Sequence, residues 1–411
     1  MGKNQNDEDP IETPIKFNIV TEMQKDLKVK VKGSRYLSPK TVSIGPQQLA
    51  HFDRRELKLG SLVGIGTFSE IYELEGFNLK SRFNNILKSK EYKLSRRKII
   101  LKTSNELSQE KRPFVVKHLR SSLLAKQHEF SLAANELVLE ANYLATFDHP
   151  NIISIHGVAS GGVRTYTESN YDAFFILLDR VECTLSDRMI KWKNAESSIS
   201  FAERLVIIKD LTSAAVFLHD RHFVYRDFKP ANVGFDVSGK VKLLDFGLIA
   251  EIPKEEKYLT KRVGTPRYMA PECYMEKPYD NKVDVYSITA MLWEVLAIQR
   301  YFDYLDAERH IFYVFYNGIR ETLYSNWPAE IRSILAEGWS AEANQRMTMK
   351  DFCIRITKEI ENLRLKKMLD DKMIVDKSEN NHVPQAKSLS DETECTDITE
   401  ETMKFGIKIE I

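Results

Sequence analysis

Residues 225–247 read YRDFKPANVGFDVSGKVKLLDFG, and the interpretation of the whole chain turns on this stretch. Asp227 and Asn232 stand five residues apart in a segment where Pro230 blocks a regular helix. That predicts a loop whose polar side chains converge on one point. A hairpin follows, with 232–235 as one strand, 236–239 as the turn and 241–244 as the return. Its closure carries Asp245 back beside Asn232. A carboxylate and a carboxamide oxygen held together suit Mg²⁺, a hard cation that takes oxygen ligands and often bridges substrate phosphates.

This spacing resembles the protein kinase family. Tyr225-Arg226-Asp227 with Asn232 is similar to that family's catalytic loop, and Asp245-Phe246-Gly247 to its metal-binding triplet. The two motifs at this separation are far more specific than a lone triplet. The resemblance covers about residues 56–363 and implies an α+β, bilobal fold. A β-rich N-lobe is expected over 53–181 and a larger, mainly helical C-lobe over 182–365. The flanking segments, 1–52 and 366–411, are expected to be a polar tail and an acidic, disordered tail; residues 378–411 hold eight acids against three lysines. A short amphipathic piece, 17–31, is a candidate for docking on the body, and Ser38-Pro39 reads as a solvated turn.

Upstream, residues 57–74 read as strand, glycine-rich turn, strand. Gly64 and Gly66 let the backbone approach phosphates and expose its N–H groups. The turn resembles the kinase glycine-rich loop, with Ser69 in place of the third glycine, and Ile71 joins it in the nucleotide site. Val115-Val116-Lys117 resembles the strand carrying the ATP-phosphate lysine. Lys117 lies 51 residues beyond Gly66, so 77–112 reads as an insertion, with residues 98–101 as an extra strand. It carries eleven Lys/Arg and three acids, net +8, which suits an acidic partner; a solvated loop is the plainer reading. A helix is predicted over 126–146. Glu136 and Glu140 both stand on it. The family's spacing to His149 selects Glu140 as the partner of Lys117 and leaves Glu136 solvated. Residues 152–158 and 173–178 read as buried strands. Leu178 resembles the gatekeeper, and Asp179-Arg180-Val181 the hinge that binds adenine through Asp179 and Val181.

Downstream, Ser200 and Glu203 form a capping box for a helix to His219. Residues 264–272 resemble the peptide-docking loop, and 284–298 read as a buried helix. Arg346 is expected to bridge to Glu272, and a last helix to end near Leu365. The resemblance implies ATP and Mg²⁺, with Asn232 and Asp245 as metal ligands. Lys117, held by Glu140, would bind phosphates, Asp227 would serve as base, and Lys229 would reach the γ-phosphate. Lys229 and Thr265 resemble the Ser/Thr-specific branch, so the substrates implied are protein serine or threonine hydroxyls. The 284–295 run gives a tyrosine-kinase-like style within that branch. Arg226 is placed to receive a phosphate on Thr260, or second on Tyr258. Tyr225 replaces the usual histidine. Gly234 replaces a larger apolar residue under adenine, which predicts a roomier site.

Composition agrees with a globular protein: 411 residues, 43% hydrophobic, 29% charged, net charge +1. Near-neutral charge gives no general case for nucleic acid or membrane binding. The four cysteines, at 183, 273, 353 and 395, have no metal-ligand spacing. Reduced thiols in the cytoplasm, or the nucleus, fit best. The longest apolar run, 173–178, is too short to span a bilayer, and no signal peptide is read.

Overall fold

The computed structural model describes residues 34–37, 49–78, 90–107, 109, 111–160, 174–253 and 255–379. The 17–31 piece and Ser38-Pro39 lie outside them. The described residues up to 363 make one compact unit, and those from 364 on belong to a second.

The N-terminal half of the first unit is a six-stranded sheet. Its strands are β1 (Ala50–Phe52), β2 (Leu57–Ile65), β3 (Ser69–Phe77), β4 (Phe114–Leu119), β5 (Ile155–Ala159) and β6 (Phe175–Asp179). The order is β1-β5-β6-β4-β3-β2, antiparallel throughout except for the parallel β1–β5 pair. Every residue of β4 is buried, as a near-continuous apolar run between two neighbours requires. Lys117 is therefore carried on an inner strand, opposite Ile71 on one side and Ile176 on the other.

Two helices accompany the sheet: α1 (Lys90–Leu107) and α2 (Gln127–Leu144). Helix α1 corrects the expected strand at 98–101 and, over 90–107, the solvated-loop reading of the insertion, whose residues 79–89 lie outside the described ones. Arg96, Ile99 and Thr103 recur at helical spacing and all are buried. The two isoleucines have strand propensity, but burial of one helical face decides the outcome. Arg96 donates to both carboxylate oxygens of Glu56, at 2.8 and 2.5 Å, and to the His51 carbonyl at 3.0 Å. It is thereby neutralised inside the fold, while Arg97, Lys98 and Lys102 stay exposed.

The polar tail expected over 1–52 also needs correction. Ala50–Phe52 is β1, buried and paired with β5. Residues 34–37 pack on the body, with Leu37 in the main core.

The C-terminal half holds β7 (Cys183–Thr184), α3 (Leu185–Lys193), α4 (Phe201–His219), β8 (Phe223–Val224), β9 (Val233–Phe235), β10 (Val241–Leu243), β11 (Ala250–Glu251), α5 (Pro271–Tyr274), α6 (Lys282–Ala297), α7 (Ala307–His310), α8 (Ala329–Gly338) and α9 (Met349–Glu379). The predicted capping box opens α4: Glu203 N donates to Ser200 Oγ, and Ser200 N to the Glu203 carboxylate. Residues 283–296 of α6 are all buried, as its apolar composition demands. Helix α9 runs past the expected end at Leu365 to Glu379. No glycine or proline interrupts 349–379, and its lysines, leucines and glutamates favour helix.

His310 sits between the rings of Phe302 (5.6 Å) and Phe315 (5.2 Å), 4% exposed. Burial, with Arg267 and Arg320 nearby, lowers its pKa to about 4 from 6.5. The unfolded chain therefore binds a proton between those values and the folded one does not, so stability falls as pH drops through that window. Full acidification should cost about 3 kcal/mol from this group. His310→Phe should flatten that acid limb in urea unfolding measured from pH 7 to 4.

Candidate active site

The β9–β10 hairpin does what the sequence predicts. Leu244 N donates to Asn232 O at 2.9 Å, setting Asp245 beside Asn232. Above them, Lys117 Nζ donates to both oxygens of Glu140 (2.9 and 2.8 Å) and to Asp245 Oδ1 (2.8 Å). Phe246 N adds a bond to Glu140 Oε1 at 3.2 Å. So the strand, the helix and the hairpin are tied together at one ammonium. Burial alone would depress Lys117, but two carboxylates in contact outweigh it and hold the lysine protonated. Lys117 in turn holds Asp245 below the ordinary carboxylate range. Burial pushes Glu140 up, against the pull of Lys117.

Asp227 anchors the lower side. Its Oδ2 accepts from Lys229 Nζ at 2.7 Å and from Asn232 Nδ2 at 2.8 Å, and its Oδ1 from Thr265 Oγ1 at 2.7 Å. Lys229 also donates to Thr265 Oγ1, at 2.9 Å. Thr265, in sequence only a marker of specificity, is thus a member of the site. These groups face one cavity of about 280 Å³, lined by Phe68 and Lys117, by Glu136 and Glu140, and by Asp227 and Asp245. Glu136 is half-buried along that cavity, which corrects its expected solvated position.

The loop's backbone is held by a residue of the buried helix α6. Asp284 accepts from Tyr225 N and Arg226 N, both at 2.8 Å, and lies 2.9 Å from His219 Nε2. The signal in the sequence is an aspartate opening the apolar 284–298 run; its side chain is fully buried and satisfied by these donors. Arg226 and Asp245 both adopt left-handed backbone, φ 71° and 47°, a strain characteristic of functional loops. Tyr225 donates its hydroxyl to Leu244 O and packs on Phe246 at 5.4 Å, so the residue in the usual histidine position supports the triplet from behind. Gly264, at φ 114°, passes so close that a Cβ would sit 2.4 Å from Arg226 O. Gly264→Ala should cost about 1–3 kcal/mol and lower turnover with it, measurable as a reduced urea midpoint and initial rate.

The family model of the protein kinase domain matches residues 103–393, well over half of the chain. This chain belongs to the protein kinase family. The Gly64–Gly66 hairpin of this kinase lies upstream of the matched stretch, on the far side of α1. Serine/threonine-protein kinase CLA4 of Eremothecium gossypii is 29% identical over 181 residues, 43% of this chain and 21% of that protein. Serine/threonine-protein kinase sgk-1 of Caenorhabditis elegans is 24% identical over 256 residues, 62% and 45%. Mitogen-activated protein kinase kinase kinase 7 of Drosophila melanogaster is 26% identical over 236 residues, 56% and 33%. The kinase spans less than half the length of these relatives.

In this kinase Gly64, Ile71, Asp179, Val181 and Asn232 are not among the residues that line that cavity. Gly64 and Ile71 pair across the β2–β3 hairpin. Asp179 ends β6, its N donating to Ser154 O at 3.1 Å, while Arg180 N donates to Pro113 O and Glu182 N to Phe235 O. These bonds fix the connector that carries Val181. The roomier adenine site expected from Gly234 is not found there. A Cβ on Gly234 would lie 2.8 Å from Val181 Cγ1 and 3.0 Å from Leu244 Cδ1, so those side chains take up the volume.

The oxygen donors fit Mg²⁺. Asn232 spends its Nδ2 on Asp227 O (3.0 Å) and Oδ2, which leaves its Oδ1 as the end available to a cation. Asp245 is half exposed, and its Oδ1 faces Lys117. One carboxylate and one carboxamide leave most positions of an octahedral ion to phosphate and water, the usual state of Mg²⁺ at nucleotides. The thiols of Cys183, Cys273 and Cys353 are free. Among the described residues no helix is long and apolar enough to cross a membrane.

Proposed function

We propose that the chain is a protein serine/threonine kinase that transfers the γ-phosphoryl group of ATP to hydroxyls of protein substrates, in a signalling role. The observation that carries this is the meeting of Lys117, Glu140 and Asp245 with Asp227, Lys229 and Thr265 around one cavity. Lys117, charged and aimed by Glu140, would bind the α- and β-phosphates. Asn232 and Asp245 would hold Mg²⁺, which when bound neutralises phosphate charge. Gly64, Gly66 and Ile71 would cover the nucleotide, and Asp179 and Val181 would present backbone to adenine. Asp227 would orient the acceptor hydroxyl and take its proton at a carboxylate oxygen now occupied by Thr265 or Lys229. Lys229 would then offset charge on the transferred group. Such positioning and neutralisation account for most of the catalysis of phosphoryl transfer. The test is ATP-dependent phosphorylation of generic Ser/Thr substrates by the full chain with Mg²⁺. Asp245→Asn should lower the signal at least about 100-fold. Equal signal from both proteins rejects the reading.

Regulation by the activation segment is part of this proposal. Thr260 and Tyr258 are exposed. Arg226 Nη1 donates to Tyr279 OH, which donates to Lys261 O, so the segment beside Thr260 is one residue away from the base's neighbour through hydrogen bonds. Thr260→Ala and Thr260→Val should lower activity alike. Full activity of an unphosphorylated preparation goes against it. Free thiols favour a cytoplasmic or nuclear setting. The exposed Arg97, Lys98 and Lys102 of α1 leave an acidic partner open to a salt-dependent binding test.

A further inference from the structure

Glu251 ends β11, four residues beyond Gly247, and its side chain is 4% exposed. A buried carboxylate needs donors, and those of Glu251 come from a segment more than two hundred residues away. Ser34 Oγ donates at 2.5 Å and Arg35 N at 2.6 Å. The Arg35 guanidinium lies 3.5 Å from the same carboxylate and donates to Ile252 O at 2.5 Å. Ser34 Oγ also accepts from Tyr36 N and Leu37 N, at 3.0 and 2.9 Å, which folds residues 34–37 into a tight turn. Tyr36 then packs on Phe223, 5.1 Å between rings, and Leu37 is buried.

The same turn meets α2. Tyr143 lies three residues after Glu140, on the same side of the helix. Its ring stands edge-on to Phe223 at 4.9 Å, the same ring on which Tyr36 of the turn packs at 5.1 Å. Phe147 continues the cluster, touching Phe223 at 5.1 Å and Phe246 at 5.8 Å. One contiguous path of packed groups thus runs from Ser34 to the helix that carries Glu140 and to the triplet that carries Asp245.

We propose that residues 34–37 are a strap, with Ser34 and Arg35 as positioning residues, which holds α2 at the rotation that brings Glu140 to Lys117. Loss of the strap leaves Glu251 buried without its donors, and the strain is relieved by movement of α2 and β11. The effect on activity rests on the kinase reading; the effect on α2 does not.

The test uses the full chain. Ser34→Asp sets a carboxylate against the Glu251 carboxylate, where the contact is now 2.5 Å. It should raise KM for ATP, lower kcat/KM about tenfold or more, and speed hydrogen exchange in 127–144 while α6 stays protected. Ser34→Asp/Glu251→Gln replaces the repulsion by an amide–carboxylate hydrogen bond and should restore both readouts. The strap is wrong if Ser34→Asp leaves KM and α2 exchange unchanged. It is also wrong if the double variant recovers neither, or if exchange rises through α6 as much as through α2. If exchange behaves as stated while even the wild-type chain transfers no phosphoryl group, the strap stands and the kinase reading falls.

Discussion

Lys117→Met should cut phosphoryl transfer by about 10³-fold and, as a separate effect, destabilise the chain by about 3–5 kcal/mol at pH 7. The first loss is removal of the charge aimed at the phosphates. The second arises because Glu140 is 2% exposed and would keep only the Phe246 N–H as a described donor. Burial already pushes Glu140 up, and without the lysine only the Phe246 N–H bond opposes it. A carboxyl whose folded pKa exceeds its unfolded value costs stability above the unfolded value, 4.5, and the cost fades as pH falls to that value and below. The deficit of Lys117→Met should therefore be large at pH 7 and much smaller near pH 4.5, by urea unfolding at both. In the wild type the lysine adds a second dependence of the same sign at much higher pH. Lys117 is raised by its two carboxylates, so its contribution is complete below 10.5 and is lost only as pH rises through the folded value. Lys117→Met/Glu140→Gln should regain most of the stability and none of the activity. A double variant no more stable than the single one would place the cost in packing instead. Retention of turnover by Lys117→Met would reject the role of the lysine altogether.

The groups in that prediction were legible because their order in the chain is rigidly tied to their geometry. Asp227, Asn232 and Asp245 sit on one loop and one hairpin, so spacing alone brings them together. Lys117 and Glu140 were legible as a strand lysine and a helix glutamate, and the choice of Glu140 over Glu136 matches the 2.8 Å contact. Other features depend on partners distant in sequence, which no local pattern reports. The Ser34–Glu251 bond spans 217 residues. Residues 98–101 look like a strand by propensity, yet Arg96, Ile99 and Thr103 turn one helical face onto the sheet. The consequence of Gly234 could not be judged without Val181 and Leu244, which fill the space it vacates. Asp284 shows the same limit from the other side: an acid at the start of an apolar helix is visible, but that it holds the backbone of the 225–232 loop is not.

Arg346→Lys should lower stability by about 3 kcal/mol or more despite keeping the charge. The Arg346 side chain is fully buried and every one of its donor nitrogens is used. Nη1 and Nη2 donate to the two oxygens of Glu272 at 2.6 and 2.9 Å, and Nε donates to Ser340 O at 2.8 Å. Further bonds reach Lys282 O and Ala341 O, and the guanidinium lies 5.1 Å from the ring of Tyr286. A lysine ammonium is a point charge on a flexible stem and cannot span a fork of this width. It would satisfy one carboxylate oxygen and leave the carbonyls of 340 and 341 without their donor. Glu272 stands in α5, directly after the 264–270 loop whose Thr265 bonds Asp227 and Lys229. Release of Glu272 should therefore loosen that loop, so KM for the protein substrate should rise more than KM for ATP. Urea midpoints at constant m-value check the stability claim, and the two KM values check the loop. A variant that loses stability while both KM values stay at wild type would confine the bridge to holding α5 and α6 together and detach it from the 264–270 loop.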